Sequence, residues 1–280
     1  MSAPPVLNVK SGTCEDEKMS ERIRIVNSIY AGYDEDTRLC RSRHGQMEYR
    51  TTMEYIHRYA PKDAKLLEVG AGTGRYSIAL AKEGYDVTAV ELVEHNLALL
   101  RANGAGLENL RSAQGDALDL SHFENGEFDI TLLLGPMYHL YAKEDVDRAI
   151  NEALWVTKEG GVILAAFLSV HAALFDNYLN GNLAAGIEEN FTEEYAVRHF
   201  EQQCFTGYDI AEFEQLFAEK NVEHIATAAA DGILELAEGR ADFAMSDNEF
   251  ELFAKYHLAN CEKRELLGCS SHLLYICTKV

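Results

Sequence analysis

The chain has no long apolar run. Its 280 residues contain no stretch of roughly 18 consecutive apolar residues, the length that a membrane-spanning helix needs. Residues 1–18 are polar, contain Pro4, Pro5 and Gly12, and lack the apolar centre of a secretory signal. We therefore expect a frayed N-terminal leader and a cytoplasmic protein that has no membrane partner.

The sequence also lacks a cysteine pattern typical of a zinc site or a disulfide framework. No two of its six cysteines have the C-x-x-C spacing, and Cys277 lies in an apolar run as a small hydrophobic side chain would. We expect reduced thiols and no metal site. A single cysteine nucleophile is the alternative, although nothing nearby resembles a partnering base. The cysteines are Cys14, Cys40, Cys204, Cys261, Cys269 and Cys277.

Basic residues are few. The chain has 25 lysines and arginines against 46 acidic residues, so its formal net charge is −21. Residues 181–260 alone hold 17 acidic and four basic residues. Such a surface repels phosphate backbones, which argues against a nucleic-acid substrate or partner. We expect a solvated acidic face; the alternative is a surface that attracts a cationic substrate.

From residue 64 onwards the sequence alternates regularly between strands and helices. The strand at 128–134 is nearly all apolar, as expected for a parallel strand that is buried on both faces. The alternation predicts a doubly wound, Rossmann-like α/β fold with a mostly parallel seven-stranded sheet and helical cap insertions. The strands are expected at about 65–69, 86–91, 110–114, 128–134, 162–168, 222–229 and 271–279, and the helices between them at about 74–83, 94–103, 143–156 and 210–220.

The remaining segments are expected to be helical and to surround this core. Two helices broken near Gly32 are predicted in the N-terminal part, and the strand–helix rhythm is lost twice later in the chain. The resulting division is a leader at 1–18, a helical lid at 19–60, a cofactor-binding core at 61–168, a helical cap at 169–204, and the rest of the core at 205–280 with a helical excursion at about 233–261.

A glycine turn after the first strand is the most informative segment. Gly70, Gly72 and Gly74 lie between a buried strand and a helix, where bare backbone can approach a ligand at the helix N-terminus. Their spacing is not the G-x-G-x-x-G of dinucleotide enzymes, which disfavours an NAD-dependent oxidoreductase. Glu68, two residues before the turn, would be awkward beside a pyrophosphate but suits a ligand with ammonium and sulfonium charges.

Four segments in this order resemble the class I S-adenosylmethionine-dependent methyltransferases that act on small molecules. They are Glu68-Val69-Gly70-Ala71-Gly72-Thr73-Gly74, Glu91, Gly115-Asp116-Ala117 and Gly135-Pro136-Met137-Tyr138-His139-Leu140. The resemblance covers about residues 60–168 well and the terminal strand loosely. It implies S-adenosylmethionine as the cofactor and methyl transfer as the activity.

The resemblance also implies the roles of individual residues. The glycine turn would let the backbone approach the methionine and ribose, with Glu68 near the methionine amino group. Glu91 would accept both ribose hydroxyls and Asp116 the adenine amine; alternatively, each only stabilises its own turn. The segment after the fourth strand would surround the methyl group. The implied cofactor-binding residues are Glu68, Gly70, Ala71, Gly72, Gly74, Glu91, Leu92, Asp116, Ala117, Leu134 and, from the lid, Arg43.

Arg43 belongs to a charged segment of the lid whose role has two interpretations. Its guanidinium could pair with the carboxylate of the cofactor, and Tyr33 and Tyr49 could close the lid. Alternatively, the arginines of this segment pair with its own acidic residues on a solvated face. Those residues are Arg38, Arg41 and Arg43 on one side, and Asp34, Glu35 and Asp36 on the other.

The acceptor of the methyl group is not defined by the sequence. His139 and Tyr138 are the candidate catalytic residues, with His171 as a further candidate base; a thiolate acceptor would need none. Gly135-Pro136-Met137-Tyr138 departs from the Asp/Asn-Pro-Pro-Tyr pattern of enzymes that methylate nucleic-acid bases or glutamine amides. We therefore expect an O, N or S nucleophile of a small molecule. The alternative is a cofactor-binding sensor or partner module without catalysis, and no oligomeric state is predicted.

Overall fold

An eight-stranded sheet forms the centre of the protein. The computed structural model describes residues 21–200, 203 and 205–280; the expected leader and Cys204 lie outside these residues. The strands are β1 (Lys65–Val69), β2 (Asp86–Glu91), β3 (Leu110–Gln114), β4 (Phe128–Leu133), β5 (Thr157–Ser169), β6 (Gly207–Tyr208), β7 (Val222–Ala229) and β8 (His272–Lys279).

The strand order confirms the predicted α/β class. It is β3-β2-β1-β4-β5-β8-β7, with the two-residue β6 beside the end of β5. Only β8 runs antiparallel to its neighbours in this path. The seven strands of the path agree with the predicted sheet, whereas β6 was not predicted because two residues are too few to show a periodicity.

Helices cover the sheet and extend over its carboxyl edge. Those between the strands are α4 (Arg75–Lys82), α5 (Glu94–Asn103), α6 (Lys143–Val156) and α9 (Ile210–Gln215). The others are α1 (Glu21–Tyr30), α2 (Glu35–Arg41), α3 (Arg43–Tyr59), α7 (Val170–Tyr178), α8 (Leu183–Asn190), α10 (Leu234–Glu238), α11 (Asp247–Leu258) and α12 (Arg264–Leu267). Among the described residues, no helix is both long and apolar enough to cross a membrane.

The N-terminal part has three helices where the sequence predicted two. Ser42 takes an extended conformation, with φ −129° and ψ 160°, and its hydroxyl accepts a hydrogen bond from the backbone N–H of Gly45. Asp34 similarly accepts from the backbone N–H of Thr37 at the start of α2. Such caps satisfy the first N–H groups of a helix and fix where it begins. The additional break at Ser42 therefore follows from capping, which the apolar pattern does not show.

The three N-terminal helices pack against distant parts of the chain. Met47 of α3 belongs to a buried cluster with Leu234, Phe250 and Ala254 of the C-terminal excursion. Burial of each large apolar side chain contributes about 1.5–3 kcal/mol. Helix α2 packs on α3, and α1 reaches the carboxyl edge of the sheet, where ligands bind in open α/β folds, through the ion pair of Arg22 with Asp116. We retain the division into lid, core and caps as a proposal.

Candidate functional site

A cleft opens at the carboxyl edge of β1, β2 and β4. It encloses about 1110 Å³ of empty space, which includes its open mouth. Its walls come from the glycine turn, the ends of β2, β3 and β4, and the N-terminal helices. Of the predicted site residues, the structure brings to this cleft Glu68, Gly70, Ala71, Gly72, Glu91, Leu92, Asp116, Ala117, Leu134, Tyr138 and His139.

The glycine turn depends on backbone conformations that other residues rarely adopt. Gly70, Gly72 and Gly74 have φ values of +76°, +56° and +87°. A Cβ at Gly70 would lie 2.6 Å from the Pro136 ring, so this turn and the turn after β4 touch only because the side chain is missing. Gly74 does not line the cleft and instead precedes α4 as its cap residue.

Glu68 supports the helix that follows the turn. The cap position of α4 is Gly74, which has no side chain to cap it. The buried Glu68 replaces that cap, because its Oε2 accepts hydrogen bonds from the backbone N–H of Ser77, at 2.9 Å, and from the Ser77 hydroxyl. Burial raises the pKa of Glu68 to about 8. Because its carboxyl is already bonded to Ser77, Glu68 would act on the methionine amino group by its charge and through the turn.

Glu91 ties the end of β2 to the glycine turn. Its Oε2 accepts the backbone N–H of Gly72 at 2.7 Å, and its Oε1 accepts that of Val93 at 2.8 Å. Burial raises the pKa of the Glu91 carboxyl to about 7. Each carboxylate oxygen can accept a second hydrogen bond. The side chain can therefore stabilise its own turn and still accept ribose hydroxyls.

Asp116 contacts an arginine that sequence reasoning did not select. Arg22 of α1 donates a hydrogen bond to Asp116 Oδ2, while the backbone N–H of Leu118 donates to Oδ1 at 3.1 Å. The guanidinium thus lies at the carboxylate expected to accept the adenine amine. No local signal marks Arg22, because it is 94 residues from its partner.

Arg43 does not reach the cleft. It donates a hydrogen bond to Asp247 at 2.5 Å and lies over the Phe250 ring, with 4.8 Å between the guanidinium carbon and the ring centroid. Arg38 lines the cleft in its place. Since α3 begins at Arg43, after the break at Ser42, the two arginines lie on different helices. The expected pairing of Arg43 with the cofactor therefore has no support in the structure.

Of the other lid and base candidates, one lines the cleft and two do not. Tyr33 lines the cleft, whereas Tyr49 stacks on Tyr76 with 5.3 Å between ring centroids and does not line it. His171 lies outside the lining and contacts Asp209, with 2.6 Å between Nε2 and Oδ1. Of the two tyrosines expected in the lid, only Tyr33 lines the cleft, and His171 does not line it either.

The segment after β4 forms a 3-10 turn, Pro136–His139, and three of its residues line the cleft. His139 Nε2 lies 3.2 Å from the Tyr30 hydroxyl, and the His139 ring lies 5.2 Å from that of Phe205. Burial raises the pKa of Tyr138 well above its ordinary range. Tyr30 and Phe205 are further cleft residues that sequence reasoning missed.

A buried network of charged groups lies behind this turn. His272 Nδ1 lies 2.8 Å from Asp231 and 3.9 Å from Glu48. These two carboxylates outweigh burial and raise the pKa of His272 to about 9, so the imidazole carries a proton at neutral pH. Asp231, Glu235 and His272 are close enough to hold a metal ion. However, Asp231 already accepts hydrogen bonds from the Ser270 hydroxyl and from His272.

The cleft fits a cationic nucleoside. The Glu35 side chain approaches the turn at Gly72, where a Cβ would lie 3.2 Å from the Cγ of Glu35. Glu68 and Glu91 are both buried, and the Glu91 carboxylate raises the pKa of Glu68. Buried carboxyls without a neutralising partner favour a positively charged ligand. S-adenosylmethionine carries both a sulfonium and an ammonium, and it also offers the ribose hydroxyls that Glu91 can bind.

These features resemble those of the class I S-adenosylmethionine-dependent methyltransferases, and comparison with known proteins identifies a methyltransferase domain in this part of the chain. Residues 66–161 match a family model described as a methyltransferase domain. The predicted cofactor, S-adenosylmethionine, is the cofactor of this class. The match contains the glycine turn, Glu91, Asp116 and the 3-10 turn, but it leaves out the N-terminal helices and both helical caps.

The similar proteins act on different acceptors. The chain is 34% identical over 101 residues to glycine/sarcosine N-methyltransferase of Parasynechococcus marenigrum, covering 35% of this chain and 36% of that protein. It is also 34% identical over 107 residues to demethylmenaquinone methyltransferase of Staphylococcus aureus, covering 37% and 42%. The matched region thus spans less than half the length of either relative.

A solved structure extends the likeness of the fold to most of the chain. A S-adenosylmethionine-dependent methyltransferase from Thermotoga maritima superimposes with a TM-score of 0.55 at 16% identity. The superposition covers 92% of this chain and 99% of that one. At this identity the likeness concerns the fold alone.

Proposed function

We propose that the protein transfers a methyl group from S-adenosylmethionine to an O, N or S nucleophile of a small molecule. The observation that carries this proposal is the set of side chains that line the cleft in addition to the residues implied for cofactor binding. Beyond the residues implied for cofactor binding, its lining continues to Leu168, Phe205 and His272. Phe205 contacts His139 and His272 contacts Tyr138, so this part of the lining adjoins the 3-10 turn, where an acceptor could approach the methyl group.

The aromatic side chains that line the cleft near the 3-10 turn support the proposal of a small acceptor. Tyr30 contacts both Tyr33 and His139 edge-on, with ring centroids 6.0 and 5.6 Å apart, and Phe205 continues this wall. Aromatic walls bury a small organic molecule and exclude water from it. The acidic composition supports the same conclusion, because it disfavours a nucleic-acid acceptor.

His139 is the best candidate to accept a proton from a hydroxyl or amine acceptor. The cofactor supplies the reactive methyl sulfonium, and the protein must align the nucleophile and remove its proton. His139 faces the cleft and its Nε2 is near the Tyr30 hydroxyl, which can orient the ring. Tyr138 is a poor base because its buried hydroxyl resists ionisation, and His272 is already protonated.

An acceptor screen tests the proposal. The protein would be incubated with S-adenosylmethionine and small phenols, amines and thiols, and formation of S-adenosylhomocysteine would be measured. We expect turnover with at least one class. For a hydroxyl or amine acceptor, His139→Gln should lower kcat by about 10²- to 10⁴-fold, while His171→Gln, a histidine outside the cleft, should have no effect.

Two results would count against this function. Cofactor binding without turnover across the whole panel would support the non-catalytic sensor or partner module. Equal losses of activity in His139→Gln and His171→Gln would show that His139 has no special role in proton transfer.

A further inference from the structure

Glu35 extends from helix α2 over the centre of the glycine turn. Its Cγ lies 3.2 Å, and its Oε1 3.5 Å, from the position that a Cβ would occupy at Gly72. The side chain is 17% exposed and lines the cleft. Glu35 lies outside the region that matches the methyltransferase family model. The sequence alone indicates for Glu35 only a pairing with neighbouring arginines on a solvated face.

Two further residues hold the Glu35 carboxylate in this position. The Nε of Arg38 donates to Glu35 Oε1 at 3.3 Å. Both terminal nitrogens of Arg38 donate to Glu48, at 2.6 and 3.0 Å. This two-pronged pair with the buried Glu48 fixes the guanidinium plane. Because Glu35 and Glu48 share the single guanidinium of Arg38, that guanidinium balances the negative charge of Glu35 only in part.

The cleft around Glu35 is lined by the carboxyls of Glu68 and Glu91 as well as by cationic side chains, which are Arg22, Arg38, Arg75 and His272. Glu35 raises the pKa values of both Glu68 and Glu91, so the three carboxyls face the same volume. Burial also raises the pKa of Glu35 itself. A cation entering between these groups would relieve their mutual repulsion.

The cofactor brings two cationic groups, and they differ in chemistry. The sulfonium has no N–H or O–H to donate, whereas the α-ammonium has three N–H donors. A carboxylate therefore forms a charge-assisted hydrogen bond only with the ammonium. If Glu91 holds the ribose, the methionine end continues along the turn in the space that Glu35 covers.

We propose that Glu35 binds the α-ammonium of the methionine end of S-adenosylmethionine, with Arg38 and Glu48 as positioning residues. The proposal depends on the cofactor of the domain and is independent of the acceptor. It also assigns the lid a part in binding the donor, in addition to covering the cleft.

Ligands that differ at the methionine end test this assignment. S-adenosylmethionine and S-adenosylhomocysteine both carry the α-ammonium, whereas 5′-methylthioadenosine lacks the whole amino-acid end. Calorimetric Kd values would be measured for all three with the wild-type protein and with Glu35→Gln. We expect Glu35→Gln to weaken the first two ligands about tenfold to a hundredfold and to leave 5′-methylthioadenosine within about twofold.

Two further variants sharpen the comparison. Asp36→Asn removes the same charge from the same turn of α2, but Asp36 bonds to Asn103 and does not line the cleft; it should leave all three Kd values unchanged. Arg38→Lys keeps the positive charge and loses the two-pronged bond to Glu48. It should weaken binding of the two amino-acid-bearing ligands and spare 5′-methylthioadenosine, a selectivity that general unfolding of the lid would not produce.

The possible contrary results are distinct. Equal weakening of all three ligands by Glu35→Gln would mean that Glu35 only maintains the shape of the lid, and weakening of S-adenosylmethionine alone would assign Glu35 to the sulfonium. Unchanged or tighter binding of all three would also overturn the proposal. If the wild-type protein bound none of them, the proposed activity would fail as well, whereas every other contrary result leaves that activity standing.

Discussion

Contact between the two loops beside the methyl position depends on Gly70. This residue has φ +76°, and a Cβ there would lie 2.6 Å from Pro136 Cδ and 3.0 Å from Pro136 Cγ. Gly70→Ala therefore adds two separate costs to the folded state. The left-handed conformation costs about 1–2 kcal/mol, and forcing a methyl group against a fixed proline ring costs about 1–3 kcal/mol. We expect a total loss of about 2–5 kcal/mol of unfolding free energy.

Gly84→Ala provides the matched control. Gly84 also has a positive φ, +101°, but a Cβ there would have no neighbour within 4 Å. Its backbone strain should be at least as large as that of Gly70, because its φ is further from the left-handed minimum near about +57°. Any additional loss in Gly70→Ala thus measures the overlap with Pro136.

Urea unfolding at 25 °C, followed by circular dichroism, would measure both variants. We expect Gly70→Ala to unfold at a lower urea concentration than Gly84→Ala, with an unchanged dependence of the unfolding free energy on urea. If Gly70→Ala were as stable as Gly84→Ala, or more stable, the turn after β4 would be free to move away. The contact would then not be what holds the two loops together.

Two further perturbations probe the ionisable groups of the cleft. Because burial raises the pKa of Glu68 to about 8, the folded state binds a proton that the unfolded chain releases near pH 4–5, so stability should fall as the pH rises from about 5 to 8. Glu68→Gln should flatten this decline in urea midpoints measured across that range; an equal decline in both proteins would contradict the assignment. Arg22→Ala frees the Asp116 carboxylate and should tighten S-adenosylhomocysteine binding by about two- to fivefold, the size of a partly exposed ion pair. Weaker binding in calorimetry would show instead that Arg22 itself contacts the cofactor.

The cofactor half of the site could be predicted from sequence because its geometry is local to the sheet. Gly70 directly follows β1, Glu91 ends β2 and Asp116 lies two residues after β3, and parallel strands present these ends at one edge. The order of the strands then brings the residues into one cleft. The fold class and the cofactor could be predicted from the same pattern, and both are confirmed.

The lid half could not be predicted because it depends on long-range packing. Whether Arg38 or Arg43 faces the cleft depends on the break at Ser42 and on how α3 rotates against α11. Arg43 meets Asp247, 204 residues away in the sequence. Periodicity within the segment 35–43 contains no information about such a partner. The sequence therefore indicates Arg43 as the lid arginine at the cofactor, whereas the structure places Arg38 of α2 at the cleft and Arg43 of α3 at Asp247.

The N-terminal helices touch each of the three loops that the sequence assigned to the cofactor. Arg22 meets Asp116 after β3, Glu35 covers Gly72 in the glycine turn, and Tyr30 lies beside His139 after β4. These contacts differ in what an incoming cofactor does to them. Adenine would compete with Arg22 for Asp116, whereas the ammonium would gain Glu35 as a partner. Cofactor binding should therefore loosen the start of α1 while it fixes the start of α2. Because Tyr30 at the end of α1 contacts His139, a shift of α1 would also change the position of the proposed base.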